Sequence, residues 1–254
     1  MSPGVRLSLA GLLVVILLLA AWSGCSSPVE SVQRAVLFHP THHSEDNGLT
    51  RWEEQGVVYG FASEVADPKT VWLMFHGNAG QAADRVYALP SFPLEDSVYF
   101  MEYPGYGQRP GAPSRQSIDE AAQLAYRALR TRFSGKPIAV VGESIGSGPA
   151  SMMAKEAVVP DKIILITPFD SLAKVAARRS SLVPAGFLLG SAWDNQEALS
   201  QYRGGLEIYG AEHDEVIPVE HAKALAGSLP QARFAVIDGG HNDWAQGRVT
   251  LRYP

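Results

Sequence analysis

Three short stretches carry side chains that could do covalent chemistry. In VVGESIGSG, residues 140–148, Ser144 stands between Gly142 and Gly146, straight after an apolar β-branched run and straight before small residues. A serine hydroxyl is a poor nucleophile until a base takes its proton. GGHND at 239–243 supplies that base, His241, in the loop after the run FAVID, and YGAEHDEVIP at 209–218 supplies an acid, Asp214, to orient the imidazole and stabilise its cation. In a strand–Gly-x-Ser-x-Gly–helix turn the glycines let the backbone bend tightly, and the hydroxyl is lifted to the N-terminus of the next helix. The helix dipole there favours the negative charge of an attacked carbonyl.

The oxyanion formed by such an attack needs donors already in place. One is the backbone N–H of Ile145. The second is expected from the loop after TVWLMF, which continues His76-Gly77-Asn78-Ala79-Gly80, with the Asn78 backbone N–H the better candidate and His76 a structural residue. Each role has competitors. Glu212 and Glu215 flank Asp214, and Asp170 follows the run KIILIT; Asp214 is preferred because Asp-x-x-Ile-Pro sets it at a loop apex before a helix starting near Pro218. His213 adjoins the acid, and His221 falls on a predicted helix where an exposed position is expected. Asp243 reads as a local loop cap, Ser147 and Ser151 as small residues packing the helix after Ser144.

These residues need a scaffold that brings distant loops together. GVVYGFAS, TVWLMF, SVYFMEY, PIAVVG, KIILIT, LEIYG and ARFAVID read as strands, and SIDEAAQLAYRALRTRF and PVEHAKALAGSL as helices between them. Mostly continuous apolar runs alternating with helices predict an α/β fold: a mostly parallel sheet covered on both faces. Ligands bind such sheets beyond the carboxyl ends of the strands, where Ser144, Asp214 and His241 each fall.

Composition limits the alternatives. The 254 residues are 46% hydrophobic and 19% charged, enough for one substantial core. With 21 Lys+Arg against 26 Asp+Glu the formal charge is −5, which argues against a nucleic-acid partner. His42 and His43 lie near Glu45 and Asp46, but without the spacing that fixes ligand geometry they read as a solvated loop, and no metal site is expected.

The N-terminus is read apart from the fold. After Arg6 come sixteen uncharged residues, LSLAGLLVVILLLAAW, closer to a secretory h-region than to a span of about 20 residues. The run ends at Trp22-Ser23-Gly24-Cys25, and Cys25 is the only cysteine. Small residues before a lone cysteine resemble a bacterial lipoprotein signal, although Trp22 stands where leucine is usual. An uncleaved signal anchor and a simple cleaved signal are the alternatives, and all three place the domain outside the cytosol. The expected organisation is a signal or anchor at 1–24, a tether and entry segment at 25–50, and the domain at 51–254.

The ordered set FHGNAG, EYPGYG, GESIGSG, GAEHDEVIP and GGHND resembles the α/β-hydrolase superfamily, and most its small membrane-tethered bud-emergence-type serine hydrolases, over roughly residues 36–245. The order Ser144, Asp214, His241 is the one that fold uses. The resemblance implies an eight-stranded, mostly parallel sheet, a Ser144–Asp214–His241 triad, no cofactor, and a loop near the site formed by Tyr103 to Gly107. Where larger relatives carry a full lid, this chain has a modest segment between Asp170 and about Tyr202. Its Phe187, Leu188, Leu189 and Trp193 either cover an acyl pocket or belong to a helix packed on the sheet edge. About thirteen residues follow His241, so a short terminal helix is expected. The expected activity is cleavage of an ester or thioester, less readily an amide, of a small-molecule or lipid acyl substrate through an acyl-enzyme, on the outer side of a bacterial membrane. The alternative is a catalytically silent tethered module that binds a lipid or a protein.

Overall fold

The computed structural model describes residues 34–35, 37–43, 48–54, 56–179 and 192–253. The signal or anchor at 1–24, Cys25, and the lid residues Phe187, Leu188 and Leu189 lie outside the described residues. In chain order the strands are β1 (His39–Pro40), β2 (Thr50–Glu54), β3 (Val57–Ser63), β4 (Val71–Phe75), β5 (Ala79–Gly80), β6 (Ser97–Met101), β7 (Ile138–Glu143), β8 (Lys162–Ile166), β9 (Gly205–Ala211) and β10 (Arg233–Ile237). The helices used below are α1 (Arg115–Arg132), α2 (Ser147–Met152), α3 (Leu172–Arg179), α4 (Asn195–Leu199) and α5 (Val219–Ser228). A 3-10 helix spans Ala82–Ser91.

Eight strands form one sheet in the order β10-β9-β8-β7-β4-β6-β3-β2, parallel except where β3 pairs with β2 and with β6. Every residue of β4, β6, β7 and β8 is buried, as continuous apolar runs in a doubly covered sheet require. Alternation divides the core between two faces. Val71, Leu73 and Phe75 point into the layer that holds α1, while Trp72 and Met74 point into the layer under Ala82, Ala88 and the C-terminal residues Trp244, Val249 and Leu251.

One strand appears that no sequence pattern announced, and two sequence expectations change. β2, TRWEE, is an edge strand with one inward residue, Trp52, which stacks on Tyr59 at 5.0 Å and meets Tyr99 edge-on at 4.8 Å. The segment after His241 is a run of turns rather than a short helix; it is pinned by the buried Trp244, Val249 and Leu251 and by a bond from Leu251 N–H to the Ser91 carbonyl, 2.8 Å. The later part of the segment expected as a tether is built into the fold: Phe38 is buried and β1 pairs in parallel with β5.

Candidate active site

β7 ends at Glu143 and α2 starts at Ser147, so Ser144 occupies a turn only three residues long. Its φ is +55°, a left-handed conformation costly for any residue but glycine, as a nucleophile elbow demands. The flanking glycines serve a different purpose. A Cβ on Gly142 would lie 2.6 Å from the Ala150 Cβ, and one on Gly146 would lie 2.2 Å from the Phe75 carbonyl oxygen. They permit close approach, while the strained dihedral falls on the serine itself.

The loops after β9 and β10 complete the set. His241 Nε2 lies 2.8 Å from Ser144 Oγ, and His241 Nδ1 lies 2.7 Å from Asp214 Oδ2. A carboxylate can only accept, so Nδ1 carries the proton and the neutral ring presents Nε2 as an acceptor to the serine hydroxyl. Asp214 is aimed by its other oxygen, which accepts the Val216 and Ile217 N–H groups at 2.8 Å each. Asp243 takes the Gly240 N–H at 2.8 Å, the loop cap expected of it. All three members of the set are buried, at 6%, 8% and 9% exposure.

The loop carrying Asn78 runs beside the elbow because β4 and β7 are neighbours, with Phe75 opposite Gly142. Its carbonyls face inward to fixed donors: the Asn78 oxygen accepts His39 N–H at 2.9 Å and Tyr106 O–H at 2.7 Å, and the His76 oxygen accepts Tyr103 O–H at 2.7 Å. The Tyr103–Gly107 loop thus supports the Asn78 loop from behind. His76 is fully buried, bonded through Nδ1 to the Gly77 carbonyl at 2.7 Å and stacked on Tyr103 at 4.1 Å. Glu102, also buried, accepts the Ala82 N–H at 3.0 Å and so fixes the start of the next helix.

Asp170 is not beside Ser144. It lies buried after β8, where it takes His221 Nδ1 at 2.8 Å, Lys174 Nζ at 2.7 Å and the Ser171 N–H at 2.8 Å. Burial alone would raise its pKa; Lys174, His221 and the Ser171 N–H outweigh that and hold it below the usual carboxylate value. His221 is therefore not on an exposed face: it is 5% exposed, because α5 turns it toward Asp170. Trp193 does not cover a pocket. Its ring sits against Gly148, its Nε1 donates to Asp119 at 2.8 Å, and it is 2% exposed. Ser147 and Ser151 are buried in α2.

Ser144 and His241 open onto a cavity of about 490 Å³ whose walls include Gly77, Asn78, Arg85, Tyr87, Glu143 and Val216. Glu143, the residue before the serine, is 2% exposed; its carboxylate accepts Tyr87 O–H at 3.1 Å and Trp244 Nε1–H at 3.1 Å. Burial, and then the Glu143 charge, raise the Tyr87 pKa well above its ordinary value, so the phenol stays a donor. Arg85, Tyr87 and Glu143 were not singled out from sequence, and no local pattern marks them. Among the described residues the one group able to share a metal ion is Glu212, His213 and Asp238, all exposed and away from this cavity. His42 and His43 instead bond to the fold, His42 Nδ1 to the Gly107 carbonyl at 2.9 Å and His43 Nε2 to Asp84 at 3.2 Å.

No family model matches the chain. It is 32% identical over 186 residues to an uncharacterised protein of Mycobacterium tuberculosis, covering 70% of this chain and 66% of that one. It is 29% identical over 201 residues to the alpha/beta hydrolase domain-containing protein WAV2 of Arabidopsis thaliana, covering 69% and 65%. The chain thus spans just under two thirds of the length of these relatives. Among solved structures, an esterase of Pyrococcus furiosus superposes with a TM-score of 0.63 at 16% identity, covering 83% of this chain and 92% of that one, a likeness of fold.

Proposed function

The chain belongs to the α/β-hydrolase superfamily, and from that premise we propose that it is a serine hydrolase acting on an ester or thioester through an acyl-enzyme on Ser144. The observation that carries this reading is the unbroken line of hydrogen bonds from Asp214 through His241 to Ser144 Oγ at the wall of a cavity. His241 Nε2 takes the hydroxyl proton as Oγ bonds to the acyl carbon. The carbonyl oxygen, now an oxyanion, is received by the N–H groups of Ile145 and Asn78. Collapse breaks the bond to the leaving group, which departs with the proton from His241. Water then gives a proton to His241 and its oxygen to the acyl carbon; the bond from that carbon to Ser144 Oγ breaks as Oγ takes the proton back from His241, and the acid leaves. No step calls on a cofactor.

The test is labelling of the full chain with a fluorophosphonate, followed by peptide mapping. A single adduct on the Ser144 peptide, with turnover of p-nitrophenyl esters by the unlabelled protein, is the expected result. Absence of both adduct and turnover in a correctly melting preparation would leave the silent binding module as the better reading.

The same proposal places the domain outside the cytosol, held to a membrane by the segment 1–24 and a lipid on Cys25. Support comes from the uncharged run at 7–22 and the lone cysteine after Ser23-Gly24; among the described residues, no helix is long and apolar enough to cross a membrane. Cys25→Ser is expected to abolish partitioning into the detergent phase and to leave an uncleaved precursor. A mutant processed and partitioned like the wild type would refute lipidation.

A further inference from the structure

Among the described residues, Arg85 is the only lysine or arginine on the cavity wall that also holds Ser144 and His241. Among the described residues no carboxylate lies within salt-bridge distance of it, although the Asp84 and Glu143 charges are near enough to act on it, and its bonds there are two: one Nη donates to Tyr87 Oη at 3.2 Å and the other to the Ala79 carbonyl. A guanidinium has five N–H donors. Nε is buried without a partner, and each Nη has a second hydrogen. The group is therefore fixed at two points, with donor capacity left over.

The other charge on the wall, Glu143, is differently placed. Both its donors, Tyr87 and Trp244, are satisfied protein groups, it is 2% exposed, and the Tyr87 hydroxyl stands between it and Arg85, accepting from one and donating to the other. Glu143 thus anchors the phenol that anchors the guanidinium; burial alone would lower the Arg85 pKa, and the Glu143, Tyr87 and Asp84 charges outweigh it. Of the two charges on the wall, the carboxylate is engaged by two protein donors while the guanidinium keeps unused ones. The described part of the wall also lacks a long apolar surface: besides the Tyr87 ring it offers Ala79, Val216 and Ala245.

The geometry points to Arg85 as an anion subsite beside the nucleophile: the substrate of this site carries a carboxylate or phosphate near its scissile acyl group. The two anions share the chemistry that a planar fork of N–H donors recognises. The inference rests on the proposed hydrolysis at Ser144 for its catalytic meaning and on the cavity alone for its binding.

The experiment has two arms, both on the full chain in detergent. In the first, kcat/KM is measured on p-nitrophenyl hemisuccinate and on neutral p-nitrophenyl pentanoate, and their ratio is compared between wild type, Arg85→Gln and Arg85→Lys. The expected result is a ratio that falls roughly tenfold or more in Arg85→Gln, the size of a lost charge-assisted bond, with partial recovery in Arg85→Lys. Using the ratio removes any general effect of releasing the Ala79 carbonyl. In the second arm, binding of phenyl phosphate and of benzoate is measured by calorimetry on the same proteins, all checked for wild-type melting. Binding of either anion that is lost in Arg85→Gln supports the subsite, and the anion bound tells which group it takes. A ratio equal in wild type and Arg85→Gln, or anion binding absent or unaffected by the substitution, overturns it. Failure of every ester with anion binding intact would instead overturn the proposed hydrolysis and leave the subsite standing.

Discussion

Ser144→Ala is expected to lower kcat on an activated ester by about 10⁶, or about 8 kcal/mol of barrier, while the protein melts as the wild type does. The size follows from the loss of the covalent route itself: His241 and Asp214 have no oxygen left to activate, and only the Ile145 and Asn78 donors remain to assist attack by water. The unchanged melting follows from the local structure. Alanine meets the same penalty as serine at a φ of +55°, and among the described residues Ser144 Oγ makes one side-chain bond, to His241. The measurement is burst-phase and steady-state kinetics beside a thermal melt. Retention of more than about a thousandth of wild-type kcat would sink the assignment of Ser144 as nucleophile, since triad knockouts fall far below that.

Asp214→Asn is expected to cost about 10⁴ in kcat/KM. The carbonyl of asparagine can still accept from Val216 and Ile217, so the loop keeps its shape. Its amide, however, would donate to His241 Nδ1 and move the ring proton to Nε2, where it blocks acceptance of the serine proton. The counterpart is Asp170→Asn. Asp170 pairs with His221 and Lys174, away from Ser144, so this change is expected to lower the melting temperature by several degrees and to leave kcat/KM within a few-fold of wild type. Comparing kcat/KM with melting for both variants separates the two acids. If Asp170→Asn loses activity while Asp214→Asn keeps it, the acid belongs after β8.

The central sheet was readable from sequence because its strands are buried on both sides. VWLMF, IAVVG and IILI are apolar or small-residue runs four or five residues long, a length that suits a doubly covered strand better than a helix. β2 was not readable: in TRWEE four residues face outward and are charged or polar, so its one core residue, Trp52, shows no period. The order of Ser144, Asp214 and His241 was readable because each follows a strand, and chain order is independent of side-chain detail. The lining of the cavity was not. Glu143 lies 56 residues from Tyr87 and 101 from Trp244, and it becomes a partner to both only because the 3-10 helix after β5 and the C-terminal turns pack on one face of the sheet. His221 misled for a related reason: its helix has a weak apolar face, and the buried carboxylate that draws it inward sits 51 residues earlier.

The missing side chain at Gly146 bears on how such a site can be changed. With no room for even a methyl group between Gly146 and the Phe75 and His76 carbonyls, the turn that bears Ser144 rests on the same backbone that leads into the Asn78 loop. Nucleophile and oxyanion donor are therefore spaced by main chain against main chain, a ruler that surface substitutions do not stretch. The walls that select a substrate come from elsewhere: the helix at 82–91, the loop at Val216 and the turns after His241. For an engineer this separates two design problems. Libraries built at Tyr87, Val216, Ala245 and Gln246 can redraw what enters the cavity while the catalytic distance stays as the sheet sets it, whereas a change at Gly146 or Phe75 would spend its effect on the ruler and leave selectivity untouched.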